Sequence, residues 1–124
     1  MFIGIAFGPN YLSKLYSTYT GLDTTPQELM KTAERLFTLF KLYIIRQGLT
    51  RKDDDWPERF YKEPVPDGPF KGAVLPREAV DKLLDDYYDL RGWDKTTGVP
   101  TREKLIEIGL EDEANDLMRL GRLP

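Results

Sequence analysis

The most pronounced pattern of hydrophobic and polar positions lies between Pro26 and Gln47 and predicts one long helix. Thr25 at the N-cap, Pro26 at the first helical position and Glu28 at the third form a capping box, and Gly48 is a typical stop. The apolar residues at helical spacing are Leu29, Ala33, Leu36, Phe37, Phe40, Tyr43 and Ile44, widened by Leu39, Leu42 and Ile45. The polar line between them is Lys31, Glu34, Thr38 and Lys41. A helix that is apolar around most of its circumference is central in its domain or meets another protein. With so little chain to cover it, some apolar surface is expected to need a partner.

Shorter patterns predict four further helices, at about 9–20, 76–90, 101–108 and 111–120, several of them ending at a glycine. Between the long helix and the next one, residues 49–76 hold five prolines and two glycines. That density excludes a continuous helix, and it predicts an extended arm with a turn at Pro66-Asp67-Gly68. The expected fold class is all-α: about five helices, one of them long and central, with a proline-rich extended arm, in a single domain over 1–124.

The first eight residues, MFIGIAFG, form an apolar leading segment. The segment lacks the basic start and cleavage site of a signal peptide and is too short to span a bilayer. Two interpretations stay open: a segment cut from something larger, or a short edge strand.

Composition narrows the function. The 124 residues are 40% hydrophobic and 31% charged, with a net charge of −3, which favours a soluble domain and argues against nucleic-acid and membrane partners. The chain has no cysteine and no histidine, so it lacks thiolate and imidazole ligands for metals and the usual acid–base group. We therefore predict no catalytic, cofactor-binding or metal-binding residue in this chain.

Several charged and aromatic groups suggest chemistry but have simpler explanations. The run Asp53–Asp55 does not fit a calcium loop, because the sixth and twelfth positions hold Glu58 and Pro64, so a solvated turn is expected. The acidic positions 85, 86 and 89 are expected to form an ordinary polar helix face, and Tyr87, Tyr88 and Trp93 to pack. Arg35 and Arg46 lie on one line of the long helix and are expected to find acidic partners within the domain.

Four motifs occur in a distinctive order: TGLDTTPQEL, QGLTRKDDDWPERF, EPVPDGPFKG and LRGWDKTTGVPTREKLIEIGL. Over about residues 20–110 this series resembles the C-terminal region of the tungsten-containing aldehyde ferredoxin oxidoreductase family. Arg35, Arg46, Arg51 and Asp54 match family positions, and the resemblance implies that they are structural or interdomain anchors. The chain departs from the family where GER reads Ala33-Glu34-Arg35, and at Thr38, Ile44 and Gln47.

The resemblance implies a larger cytoplasmic enzyme that oxidises aldehydes to carboxylates and passes the electrons to ferredoxin. Its cofactors would be a tungsten or molybdenum bis-pterin and a [4Fe–4S] cluster, none of them bound by this chain alone. The chain would cover the substrate channel, with a cofactor-bearing N-terminal domain or separate subunit as its partner, and would be inactive by itself. The alternative is a free-standing helical interaction module derived from that domain.

Overall fold

A computed structural model describes residues 7–123, which form six α-helices and one 3₁₀ turn. The helices are α1 Pro9–Thr20, α2 Pro26–Arg46, α3 Arg59–Lys62, α4 Arg77–Arg91, α5 Arg102–Glu107 and α6 Glu111–Arg119. Between residues 7 and 123 the only β-type pairing is an isolated bridge from Trp93 to Pro100, so the predicted all-α class is confirmed. Most of the apolar leading segment lies outside the described residues. No helix within 7–123 has the length and apolarity needed to cross a membrane.

The predicted start of the long helix is confirmed at α2. The hydroxyl of Thr25 accepts the backbone N–H of Glu28 at 3.2 Å, and the Glu28 carboxylate accepts the backbone N–H of Thr25 at 2.8 Å. Both bonds satisfy backbone donors that a helix start otherwise leaves free. At the other end the helix stops at Arg46, and Gly48 takes a φ of +98°, which favours glycine.

The core lies on one side of the C-terminal half of α2. Leu42 and Ile45 pack there against the last third of the chain, where α5 and α6 contact each other. The other buried members of this cluster are Val99, Leu105, Ile108, Leu110, Ala114 and Leu117. The N-terminal half of α2 packs against α1 instead. The opposite side of α2 therefore receives little cover from the other residues between 7 and 123.

The arm at residues 49–76 is less extended than predicted. It contains the 3₁₀ turn Arg51–Asp53 and the single helical turn α3. Thr50 caps the first of these, because its hydroxyl accepts the backbone N–H of Lys52 while Asp53 accepts the backbone N–H of Thr50. The predicted turn at 66–68 is present: Gly68 has a φ of +90°, and its N–H donates to the Asp67 carboxylate at 2.8 Å.

Candidate docking face and its polar anchor

Several side chains of α2 lie in the environment opposite to the one that their polarity favours. Thr38 and Lys41 are buried, with 1% and 7% of their surface exposed. Leu36, Phe40 and Tyr43 are 64%, 62% and 62% exposed. Together with Phe37 and Leu39, these three residues form what we call the exposed α2 face. Among residues 7–123, the expectation that part of the apolar surface of α2 stays uncovered is confirmed.

Lys41 is buried with its charge paired. Its ammonium forms an ion pair with the Asp54 carboxylate and lies 5.4 Å from the centre of the Trp93 ring. The same carboxylate oxygen accepts the hydroxyl of Tyr88 at 2.5 Å. A buried ammonium is tolerated only when it is paired and hydrogen-bonded in this way. The pair therefore fixes which side of α2 points inward.

Arg51 extends this network to α4. Its guanidinium forms an ion pair with Asp85 at 2.6 Å and donates to the backbone carbonyl of Lys95 at 2.6 Å. It also lies 5.3 Å from the centre of the Tyr88 ring. We call the five residues Lys41, Arg51, Asp54, Asp85 and Tyr88 the polar anchor. It joins α2, the start of the arm and α4 through groups that lie far apart in the sequence.

Tyr88 is the centre of the polar anchor and is fully buried. Burial raises the pKa of its phenol well above the usual value, and the hydrogen bond to the Asp54 carboxylate raises it further. The Tyr88 hydroxyl therefore stays protonated and donates its hydrogen bond to Asp54. Gly98 lies against it with a φ of +73°, and a Cβ there would come within 2.9 Å of the Tyr88 oxygen. Only glycine satisfies both the backbone conformation and this close approach.

The structure separates the four predicted anchor residues into two pairs. Arg51 and Asp54 come together in the polar anchor. Arg35 and Arg46 are exposed, and neither forms an ion pair with any residue from 7 to 123, so the expected acidic partners are not found in that range. Water solvates an exposed guanidinium, which removes the need for a partner. Arg46 borders a pocket of about 210 Å³ together with Leu39, Leu42, Tyr43, Glu113, Asp116, Leu117 and Leu120.

The run Asp53–Asp55 lies in a turn whose first and last residues are exposed, as expected. Asp54 differs because it belongs to the polar anchor, and exposed Asp55 forms an ion pair with Arg77 at 2.9 Å. Arg77 also pairs with Glu58 at 2.7 Å and lies over the Tyr61 ring at 4.0 Å. These contacts hold the arm against the start of α4. The acidic face of α4 likewise has specific partners, Arg51 for Asp85 and Lys95 for Asp89.

An apolar groove of about 600 Å³ lies between α1 and α2 and continues the exposed α2 face toward the N-terminal end of α2. Its lining consists of Pro9, Leu12, Leu15, Tyr16, Tyr19, Leu29, Met30 and Ala33. A second groove of about 600 Å³ is formed within the arm, chiefly by Phe60, Val65, Phe70 and Leu75. Both grooves are lined chiefly by apolar side chains.

The residues of this chain do not fit an iron–sulfur cluster or a zinc site. Such centres are held by cysteine or histidine, and the sequence contains neither. Within residues 7–123 no three acidic side chains come together in a way that could hold a metal ion.

These features define a helical domain with an exposed apolar helix face, and comparison with known proteins identifies the family. A sequence model described as aldehyde ferredoxin oxidoreductase, domains 2 & 3, matches residues 3–110, and the chain belongs to this family. The tungsten-containing aldehyde ferredoxin oxidoreductases of Pyrococcus horikoshii and Pyrococcus furiosus are 34% and 33% identical over 113 residues. These alignments cover 90% of this chain and 18% of each relative.

Two further proteins extend the comparison. The WOR-like subunit of an aliphatic sulfonate oxidoreductase from Pyrococcus furiosus is 34% identical over 109 residues, which is 83% of this chain and 17% of that subunit. Among solved structures, the active-site complex BamBC of benzoyl-coenzyme A reductase superposes with a TM-score of 0.75 and 28% identity. That match covers 94% of this chain and 16% of the other. The chain thus spans less than a fifth of the length of the proteins it matches, and the predicted family is confirmed.

Proposed function

We propose that this chain is the C-terminal, channel-covering domain of a tungsten-dependent aldehyde ferredoxin oxidoreductase and is not catalytic alone. The observation that carries the proposal is the exposed α2 face, on which Leu36, Phe40 and Tyr43 lie in water while the opposite side of the same helix is buried. In a complete enzyme this face covers the domain that bears the cofactor. Family membership supports that assignment.

The cofactors of the complete enzyme would be a tungsten or molybdenum bis-pterin and a [4Fe–4S] cluster. They would supply the oxidation of an aldehyde to a carboxylate and pass the electrons to ferredoxin in the cytoplasm. Because this chain has no cysteine or histidine, every thiolate or imidazole ligand would come from the partner polypeptide. The partner is either the N-terminal part of the same enzyme or a separate subunit.

In this proposal the four residues predicted as structural or interdomain anchors have two different roles. Arg51 and Asp54 hold the arm against α2 and α4, which keeps the outer surface of the domain in one shape. Arg35 and Arg46, both exposed on α2, pair with carboxylates of the cofactor-bearing polypeptide. Residues 1–124 act together as one helical domain.

A second candidate is a free-standing interaction module that has kept the domain without the chemistry. It is favoured by the core, since Leu42, Leu105 and Leu110 pack into a cluster built entirely from this chain. The DNA beside the gene separates the two candidates. An adjacent or in-frame reading frame with the cluster cysteines supports the enzyme domain, and the lack of one supports the module.

Co-expression with the cysteine-bearing polypeptide encoded beside this chain tests the proposal. Wild-type chain is expected to co-purify with it, and Tyr43→Glu is expected to abolish co-purification because it places a charge in the contact. Leu90→Glu is the matched control, because Leu90 is 87% exposed and belongs to α4 rather than to α2. Failure of the wild type to co-purify, or equal loss with both variants, contradicts the proposal. Iron or tungsten bound stoichiometrically by the chain alone would contradict its non-catalytic role.

A further inference from the structure

The apolar groove between α1 and α2 has an apolar segment of its own chain directly beside it. Within the described residues, none of the eight side chains that line the groove is charged. Residues 1–6, MFIGIA, precede α1 and carry no charged side chain either. We propose that this segment folds back along α1 in an extended conformation and fills the groove, which leaves the exposed α2 face for the partner polypeptide.

The contact of Phe7 with α1 supports this path. Phe7 precedes the N-cap Gly8 and stacks on Tyr11, with 4.6 Å between the two ring centres. An apolar contact between the residue before an N-cap and the start of a helix fixes the angle at which the chain enters the helix. The Phe7 side chain therefore points along α1 rather than away from it. Leu15 follows Tyr11 by one turn on the same side of α1, and Leu15 lines the groove.

The spacing of the segment matches the spacing of the helix. Side chains on one face of an extended chain recur every two residues, which is about 6.6 Å. Residues four apart on a helix are separated by about 6 Å along its axis. Starting from the aromatic stack, Ile5 therefore comes level with Leu15, and Ile3 comes level with Tyr19. Leu15 and Tyr19 are 54% and 91% exposed, so each isoleucine meets apolar surface that it would cover.

The segment is also long enough for the groove. Six extended residues span about 20 Å, whereas the part of α1 that lines the groove, from Pro9 to Tyr19, rises by about 15 Å. Gly4 and Ala6 lie on the face of the segment opposite to the isoleucines. Small side chains there leave the backbone N–H and C=O groups within reach of water, which satisfies their hydrogen bonds.

The groove and the exposed α2 face are different surfaces with different occupants. Ala33 is the last residue of α2 that lines the groove, and Leu36 is the first residue of the exposed α2 face. The two surfaces therefore adjoin without sharing a residue. An uncharged segment in the groove also leaves Arg35 and Arg46 available to carboxylates of the partner polypeptide.

Maleimide labelling of one introduced cysteine in the full chain tests the proposal, since the natural sequence has no cysteine. The labelling rate at Leu15→Cys is expected to rise about tenfold or more when Ile5→Asp is added, because burial of one isoleucine shifts an equilibrium by at least about that factor. Ala6→Asp is the matched control, since it places the same charge on the opposite face of the segment and should leave the rate low. The rate at Leu90→Cys on α4 should not respond to either change. Circular dichroism establishes that each variant is folded, and Ile5→Ser replaces Ile5→Asp if the latter is not.

A pair of cysteines tests the register. Oxidation of the double variant Ile5→Cys, Leu15→Cys is expected to give a disulfide within one chain, because the bond requires Cβ atoms about 3.5–4.5 Å apart. The pair Ala6→Cys, Leu15→Cys should form its disulfide much more slowly. Mass spectrometry separates a link within one chain from a link between two chains.

Three results would overturn the proposal. Equal labelling at position 15 with and without Ile5→Asp would show that the segment does not cover Leu15. A disulfide that joins two chains would place the segment in the groove of a second copy. Protection of position 15 that occurs only in the complex with the cysteine-bearing polypeptide would place that polypeptide in the groove. None of these results decides the proposed function, whose test is co-purification through the exposed α2 face.

Discussion

Lys41 and Asp54 form an ion pair that ties the buried side of α2 to the start of the arm. The pair lies thirteen residues apart in the sequence and shares its carboxylate with Tyr88, thirty-four residues further on. Because the pair must be shielded and hydrogen-bonded, the Lys41 end of the polar line lies inward, and the apolar residues Leu36, Phe40 and Tyr43 lie outward. An apolar face left in water is unfavourable for an isolated domain. It supports the proposal that the domain docks against another polypeptide.

Asp54→Asn is expected to lower the free energy of unfolding by about 3 kcal/mol, because it leaves the Lys41 ammonium buried without a counter-charge. The value lies at the low end for buried pairs, since the Asp54 side chain keeps 31% of its surface exposed. Urea denaturation provides the measurement. Asp86→Asn, a change at an exposed carboxylate on α4, is the control and should stay within about 0.5 kcal/mol of wild type. Equal effects of the two changes would mean that the pair does not organise the fold.

Gly98→Ala is expected to destabilise the chain more than Gly68→Ala does. Both glycines have a positive φ, so both changes carry the same kind of backbone strain. Only at Gly98 does the new Cβ meet a side chain, the Tyr88 hydroxyl, whereas nothing lies within 4 Å at Gly68. Overpacking of this kind costs about 1–3 kcal/mol. Thermal unfolding of the two variants gives the difference directly, and adding Tyr88→Phe to Gly98→Ala should recover part of the packing cost. Similar losses in the two single variants would contradict the contact.

The loop after α4 gives the fold a specific sensitivity to acid. The Thr97 hydroxyl donates to the Asp94 carboxylate at 2.7 Å and, with the Thr97 backbone N–H, lowers the pKa of that carboxyl below its ordinary value of 3.8. Ionised Asp94 therefore stabilises the fold above that value, and the contribution is lost as the pH falls through the lower folded-state pKa.

The expected result is that Asp94→Asn lowers the free energy of unfolding by a constant amount above about pH 5, and that its difference from wild type shrinks at lower pH. Chemical denaturation as a function of pH measures both curves. Thr97→Val should reduce the same acid-dependent contribution, because it removes the hydroxyl donor. A difference that does not change with pH would contradict the assignment to Asp94.

Local features of the fold follow from the sequence alone. The capping box at Thr25 and Glu28 predicts the start of α2, and Gly21 and Gly92 lie just past the ends of α1 and α4 as helix-stopping glycines do. These capping and stop signals involve residues that are close in the sequence, so the sequence alone predicts the helix ends. The four-motif series likewise predicts the family, because its order and spacing are carried by the chain itself.

The polar anchor could not be found in this way. By helical periodicity, Lys41 is only one member of a polar line. No pattern in the neighbouring sequence indicates that Asp54 and Tyr88 are its partners. The only local signal is that Lys41 interrupts the most apolar part of the chain. The arm shows a related limit of the sequence pattern. Its prolines predict an extended segment, whereas Pro57 lies just before α3 and its carbonyl accepts the N–H of Phe60 at 3.0 Å. Proline is compatible with a helix start.

The central claim, that another polypeptide covers the exposed α2 face, is tested most directly by the reactivity of a single cysteine. Phe40→Cys introduces the only thiol of the chain, and Leu90→Cys on α4 is the control. Maleimide is expected to label both variants of the isolated chain. In the complex with the cysteine-bearing polypeptide, followed by mass spectrometry of this chain, position 40 should be protected and position 90 should still react. Labelling of position 40 at the same rate in the complex as in the isolated chain would contradict the account.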